Sequence, residues 1–335
     1  MRNNKSSRPQ TRNPKPQTLI MGTRGSPLAL AQSRLVAAAL QEAHPGLTIE
    51  ERVIRTTGDK LQGAALPEIG GKGVFTLEIE HALLQGQIDF AVHSLKDLPP
   101  ELPAGLCIGA IPKRETACDV CILHPDWQDW PPADSKLAAL PFLPHGARLG
   151  TSSLRRSAQL LHLRSDLVIE SIRGNIDTRL RKLEEQNFHA IILARAGLQR
   201  LQVEVATERQ RRLNERDFVP APGQGALAIE ARADNKKTLR ILKAIDHEAT
   251  RAEITAERTA MRALNAGCST PLGARALAVA GSLELWAAVL SPDGAQHVFA
   301  EDCGAVSDAQ ALGEQVAQQL LAQGANRLLE NSATP

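Results

Sequence analysis

Tyrosine is absent from this 335-residue chain, and aromatic residues together make up only 3% of it. Proteins that grip single-stranded nucleic acid stack the bases on aromatic rings, so that mode has little to work with here. An excess of one charge is missing too: 39 Lys and Arg against 37 Asp and Glu leave a formal net charge of +2. That argues against a generally basic nucleic-acid binder and leaves positive charge to act only where it is concentrated. No apolar run reaches the length of a membrane span, and no secretory pattern opens the chain. The five cysteines (107, 118, 121, 268 and 303) are odd in number and unevenly spaced, which speaks against a disulfide framework and for a reducing cytoplasm. Cys118-x-x-Cys121 lacks a second pair and a nearby His ligand pattern, so no metal site is expected.

What is present is the balance of a globular protein, 43% hydrophobic and 23% charged, long enough for two or three domains. Residues 1–17 are basic, acid-free and rich in Asn, Pro, Ser and Gln. They read as a disordered tail, with an organellar presequence or a nucleic-acid-touching arm as alternatives. From Thr18 short apolar strands alternate with amphipathic helices. Strands are expected at 18–22, 48–55 and 90–93, and helices at 27–43 and 74–85. This βαβα rhythm predicts mixed or parallel sheets covered by helices, an α/β fold. Pro-rich breaks near Pro112 and Pro220 bracket a second α/β set, with strands at 119–123, 168–172 and 190–193. A strand at 226–230, a long helix at 247–265 and a small α+β tail of three strands and a helix follow. The Trp- and Pro-rich piece 124–144 reads as a surface insertion, and the charged run 208–216 as a solvated helical face.

Between Gly150 and Arg181 arginines twice stand where a strand hands over to a helix: Gly150-Thr151-Ser152-Ser153-Leu154-Arg155-Arg156, then Arg173-Gly174-Asn175-Ile176-Asp177-Thr178-Arg179. Helix N-termini present unpaired N–H groups, and arginine adds a planar fork that matches carboxylate or phosphate. Arg24, in Thr23-Arg24-Gly25-Ser26-Pro27, repeats the arrangement; alone it reads as a solvated loop arginine, but in this company it points to the ligand crevice of an α/β lobe. Gly70-Gly71-Lys72-Gly73 lacks P-loop spacing and is either a glycine loop carrying one cation or a plain linker. In His93-Ser94-Leu95-Lys96-Asp97, Asp97 falls at the C-terminal end of a strand. On local evidence a helix cap or a Lys–Asp surface pair stands ahead of a catalytic carboxylate. Cys268, between Gly267 and Ser269-Thr270-Pro271, is either a buried structural thiol or an exposed attachment point.

Taken together these motifs resemble the porphobilinogen deaminase (hydroxymethylbilane synthase) family. The matching pieces run in order: Thr23 to Leu30, Gly70 to Phe75, His93 to Asp97, Gly150 to Arg156, Arg173-Gly174-Asn175 with Thr178-Arg179, Ala196 to Arg200, and Gly223 to Ala226. The resemblance implies two periplasmic-binding-protein-like α/β lobes plus a small C-terminal α+β domain. Their expected extents are 18–113 with 225–243, then 117–219, then 246–331. It implies a cytoplasmic, monomeric transferase that joins four porphobilinogen molecules head to tail, releasing ammonia, and passes hydroxymethylbilane to uroporphyrinogen-III synthase. It implies a dipyrromethane cofactor held by a thioether to Cys268, with Lys96, Ser153, Arg155, Arg156, Arg173 and Gly174 around it. Asp97 is the implied catalytic group. Arg24, Ser26, Arg173, Arg179, Arg200 and Gln224 are implied to bind substrate, and Lys72 and Phe75 to belong to an active-site loop. No metal, nucleic acid or membrane enters this scheme. The chain departs from the family pattern at Ser269-Thr270, where Asn or Gln and then Val are usual, and at Thr116-Ala117-Cys118 before Asp119. Two rivals remain, a solute-binding or effector-binding module of the same two-lobed fold and a nucleic-acid or polyphosphate binder using the arginine clusters.

Overall fold

The computed structural model describes residues 17–60, 76–126, 140–267 and 270–330. The first lobe begins β1 (Gln17–Thr23), α1 (Pro27–Ala43), β2 (Leu47–Val53), a single turn α2 (Thr57–Lys60), α3 (Leu77–Leu84), β3 (Phe90–Ser94) and β4 (Leu106–Ala110). The chain then crosses to build β5 (Asp119–Leu123), β6 (Arg148–Gly150), α4 (Leu154–Leu163), β7 (Val168–Glu170), α5 (Ile176–Glu185), β8 (Ala190–Ala194), α6 (Arg195–Leu201) and β9 (Gln210–Arg212). It returns as β10 (Leu227–Arg232) and α7 (Lys236–Leu242), and ends with α8 (Glu248–Ala263), β11 (Leu272–Val279), β12 (Ser282–Leu290), β13 (His297–Ala305), α9 (Ala309–Ala322) and α10 (Ala325–Glu330).

The two large sheets have the same plan. In the order β2-β1-β3-β10-β4 the first three strands are parallel, and β10 runs antiparallel to both β3 and β4. In the order β7-β6-β8-β5-β9 the first three are again parallel and β5 is antiparallel to its neighbours. Parallel strands followed by helices put the helix N-termini at one sheet edge, and so fix which loops line a crevice. The third sheet is the antiparallel meander β11-β12-β13. Along β12 the alternation is strict: Leu283, Leu285, Ala287 and Val289 join the core under α8 and α9. Trp286, Ala288 and Leu290 point the other way, onto Ala158 and Val219 of the second lobe.

The two crossovers touch each other. Gly225 has φ +86, and a Cβ there would lie 2.5 Å from the carbonyl oxygens of Glu115 and Thr116, so only glycine fits. Helix α8 pins both. Its Glu257 carboxylate accepts from Arg114 Nη1 (2.6 Å) on one crossover, from the Gly223 N–H (2.7 Å) on the other, and from the Ala276 N–H (2.8 Å) on β11. The residue that follows the end of α8 by five positions is Cys268.

Several expected elements fall where they were read, α1 to the residue, with Ser26 capping the Ala29 N–H and Pro27 at the first turn. Others do not. The run 208–216 is not a helical face: Gln210–Arg212 pairs with β5, and Arg211 is buried, its Nη1 donating to the Glu208 carbonyl at 2.7 Å. A long side chain with its own carbonyl partner can face inward from an edge strand, which the charge count conceals. The insertion 124–144 is in part core, for Leu140, Phe142 and Leu143 pack with Leu149 and Leu160. Strand β4 and helix α6 were not foreseen. The tail lies outside the described residues except for Gln17, which opens β1.

Candidate active site

Two strand-to-helix handovers supply the second lobe's wall. Ser153 has extended backbone and caps α4, accepting from the Arg156 N–H; Asn175 caps α5, accepting from the Thr178 N–H at 2.9 Å. Between them Gly174 holds φ +119, where a Cβ would meet the Thr178 side chain at 2.6 Å. Arg179 Nε donates back to the Gly174 carbonyl at 2.8 Å, and Lys182 Nζ to that of Arg173 at 3.2 Å, so this loop is tied to its own helix.

The first lobe supplies the other wall. Strand β3 ends in a single 3-10 turn, Leu95–Asp97, which leaves Asp97 exposed and Leu95 buried. A small pocket opens beside it, lined by Arg24, Ser26, Gln32, Thr76, His93 and Asp97. Lys96 reaches Gln224 Oε1 at 3.3 Å, and Gln224 in turn donates to the Ala117 carbonyl (2.6 Å) and to Asp119 Oδ1 (3.0 Å).

Asp119 was not foreseen, and it organises the centre. The carboxylate is fully buried and receives Arg155 Nη2 at 2.7 Å, with Arg156 Nη2 at 2.7 Å and Nε at 3.0 Å. Arg155 Nη1 also donates to the Val219 carbonyl, and its guanidinium lies over Phe218, 5.6 Å from the ring centroid. Arg156 Nη1 donates to the Ile192 carbonyl. Much of the donor capacity of these two arginines is therefore spent inside the lobe, while Arg155 Nε is buried with no hydrogen-bond partner among the described residues. Arg200 Nη2 donates to the Gly225 carbonyl at 2.6 Å, placing it against a crossover. Cys268, Lys72 and Phe75 lie outside the described residues; next to Cys268, the Thr270 N–H and hydroxyl both donate to the Gly267 carbonyl.

The charges of the two lobes act on one another. Burial pushes the Lys96 ammonium down to about 8, Arg156 adds to that, and Asp97 and Asp119 oppose it. Burial likewise draws Arg179 down to about 10, helped by Arg156 and Arg173 and countered by Asp97. Burial acts to raise Asp119, but Arg155 and Arg156 overcome it and hold the carboxyl at about 2. Lys96 and Asp97 from one lobe and Arg156, Arg173 and Arg179 from the other thus share one cleft. Crowded cations of this kind cost free energy that an anionic ligand offsets, so the cleft is arranged to take more than one carboxylate.

Asp119 carries a pH signature. Its folded pKa lies below its unfolded value, so the folded state binds fewer protons. The stability it lends is complete above about pH 4 and lost as pH falls through about 2. Urea denaturation of Asp119→Asn across that window is expected to show a flattened acid limb relative to the parent; superimposable limbs would contradict the assignment.

Family models described as "Porphobilinogen deaminase, dipyromethane cofactor binding domain" and "Porphobilinogen deaminase, C-terminal domain" match residues 19–240 and 251–322. A porphobilinogen deaminase of Syntrophobacter fumaroxidans is 45% identical over 316 residues, 94% of this chain and 97% of the relative. One from Brevibacillus brevis is 48% identical over 310 residues, 92% and 96% of the two chains. Among solved structures, an arginine-specific periplasmic binding protein of Salmonella typhimurium aligns with TM-score 0.39 at 13% identity, covering 68% of this chain and 92% of its own.

Proposed function

We propose the following division of labour for a chain that belongs to the porphobilinogen deaminase family: Asp97 handles the reacting carbon, the arginines of the second lobe hold the carboxylates, and Cys268 anchors the primer. The chain is a tetrapyrrole-forming enzyme, and its larger part is a domain for a dipyrromethane cofactor. The observation that carries the assignment of roles is the convergence of Lys96 and Asp97 with Arg156, Arg173 and Arg179 across one cleft.

The donor set suits that cofactor. Each pyrrole bears an acetate and a propionate. The α4 N-terminus at Ser153, the glycine turn at 173–174, Lys96 and Arg155 Nε, which has no hydrogen-bond partner among the described residues, would hold them. When bound, the dipyrrole offers a nucleophilic ring carbon on which the product chain starts. Asp97, unencumbered at the end of its turn, stabilises the cation left when porphobilinogen loses ammonia and orients the ring N–H groups. Arg173 and Arg179 take the side-chain carboxylates, with Arg24 and Ser26 of the first lobe on the incoming substrate. Asp119 keeps Arg155 and Arg156 in place, so that their residual charge faces the cleft without rotamer search. Cys268 stays bonded through all turnovers, since a thioether is not a leaving group under these conditions. The full reaction joins four porphobilinogen molecules and one water into hydroxymethylbilane with release of four ammonia molecules, the water supplying the hydroxyl as the finished chain parts from the primer. The enzyme is a transferase working as a cytoplasmic monomer, and the labile product passes to a cyclising synthase.

Two arginines separate binding from support. Arg173→Leu is expected to leave thermal stability within about 0.5 kcal/mol of the parent. Partly elongated chains, resolved by native anion exchange, are expected to accumulate on it. Arg155→Leu strips Asp119 of one buried partner and is expected to cost about 3–5 kcal/mol of folding stability. Unchanged elongation in the first, or unchanged stability in the second, would return that residue to the other role. The reading as a whole is tested by counting ammonia against hydroxymethylbilane: four to one is expected, and porphobilinogen left unconsumed would overturn it.

A further inference from the structure

Below the Asp97 pocket lies a group of ionisable side chains that the scheme above does not use. His93 is on β3, Glu230 on β10 and Glu80 on α3, and all three are buried. His93 Nε2 lies 3.0 Å from Glu230 Oε2, with the two side chains 4% and 0% exposed. That separation does not meet hydrogen-bond geometry. Neither oxygen of Glu230, nor Oε1 of Glu80, has a hydrogen-bond partner among the described residues. Buried carboxylates are ordinarily satisfied or paired, because an uncompensated one costs several kcal/mol. With an imidazole nitrogen and a carboxylate oxygen 3.0 Å apart, a proton that reaches one has a neighbour to pass to. Burial raises the Glu80 carboxyl, its Thr76 hydrogen bond opposes that, and Glu230 adds to the rise. The group is not sealed from the site, for His93 and Thr76 both line the pocket with Asp97.

The reaction needs such a place. Each condensation breaks one C–N bond at an aminomethyl carbon, forms one C–C bond, and removes one hydrogen from the ring carbon that was attacked. The electron pair of that C–H bond restores the aromatic ring. Over repeated condensations one ring proton is released for each amine that departs, so the balance needs no outside acid or oxidant. Ammonia leaves before the ring proton is lost, however, so each ring proton must be held until the amine of the next porphobilinogen departs. Asp97 cannot hold it and remain an anion for the next cation.

We propose that His93, backed by Glu230, is a second proton-transfer group of this enzyme, which takes the ring proton from the pocket and returns it to a departing amine. The charged groups that bear on His93 are Glu80 on α3 with His81 beside it, Glu230 on β10 with Cys107 of β4 nearby, Arg24 from the β1–α1 turn, and Asp97 itself. The assignment rests on the deaminase reading, and its test keeps the two apart.

The experiment follows porphobilinogen consumption from pH 5.5 to 9 by the cofactor-loaded parent, His93→Gln and Glu230→Gln, with intact mass to verify loading. His93→Gln is expected to keep the dipyrrole mass and KM while kcat falls about 100-fold, within the range of general acid–base groups. The limb of the kcat profile that belongs to the imidazole is expected to vanish. Glu230→Gln is expected to move that limb to lower pH, since the imidazolium loses its counter-charge. A loaded His93→Gln with parental kcat and profile would overturn the proposal. Should that variant fail to fold, Glu230→Gln decides: a shifted limb supports it and an unshifted one ends it. A parent that neither carries a dipyrrole nor consumes porphobilinogen takes both readings down, whereas an active parent with unaffected variants removes only this one.

Discussion

Asp97→Asn is expected to lower kcat by about 100- to 10,000-fold, the range over which a positioned carboxylate acts on a reacting centre. The substitution keeps size and hydrogen-bonding shape but removes the charge that opposes the developing cation. Exposed at the end of its 3-10 turn, the side chain contributes little to packing, so folding stability is expected to stay within about 0.5 kcal/mol of the parent. Substrate binding should change less than turnover, because the proposed carboxylate partners Arg24, Arg173 and Arg179 are left in place. The check is steady-state kinetics of a variant shown by intact mass to be loaded with its dipyrrole. A loaded variant turning over within threefold of the parent would move the catalytic role elsewhere. The neighbours sharpen the forecast. Asp97 opposes the lowering of both Lys96 and Arg179, so the asparagine variant is expected to weaken both as cations and to narrow the alkaline side of the activity profile.

Cys268→Ser is expected to yield a folded chain with no added mass, no aldehyde colour for pyrroles and no measurable turnover. A hydroxyl is a far weaker nucleophile than a thiolate, so the ether analogue should not form. Folding should survive, because Ala266 closes the core on the near side, and Thr270 bonds to the Gly267 carbonyl through its own N–H and hydroxyl. Thr270, one of the two departures from the family pattern here, therefore has a local structural partner, since its hydroxyl donates to the Gly267 carbonyl. Retention of the dipyrrole mass in Cys268→Ser would place the anchor on another side chain.

The fold was legible in the sequence where periodicity was strong. Helix α1 is announced by Ser26-Pro27 and by its apolar stripe, and β5 and β8 by unbroken apolar runs between breakers. Strand β4 was hidden because Leu106-Cys107-Ile108-Gly109-Ala110 is short and sits among prolines, and because its partner β10 comes from more than a hundred residues on. Strand β9 was hidden by its arginines. The wall proposed to bind anions is readable in the sequence as two capped helix starts loaded with Arg. What local reading could not supply was the division among those arginines. Arg155 and Arg156 look alike in the sequence to Arg173 and Arg179, yet the first pair is locked onto Asp119 within the second lobe. The only sequence signal was an aspartate opening an apolar strand, where buried charge demands a partner. The His93–Glu230 contact was out of reach as well, because it depends on β10 returning from the second lobe to lie against β3.

The central claim is that one cleft between two lobes holds a covalent dipyrrole, and that a chain of pyrroles grows on it one unit at a time. Mass spectrometry of the intact enzyme, before and after mixing with a limiting amount of porphobilinogen, tests it most directly. The expected starting mass equals the polypeptide plus one dipyrromethane. A ladder of species is then expected, each heavier by one porphobilinogen less one ammonia, that ends at the fourth addition. A starting mass equal to the bare polypeptide, with no ladder while porphobilinogen is nonetheless consumed, would contradict it.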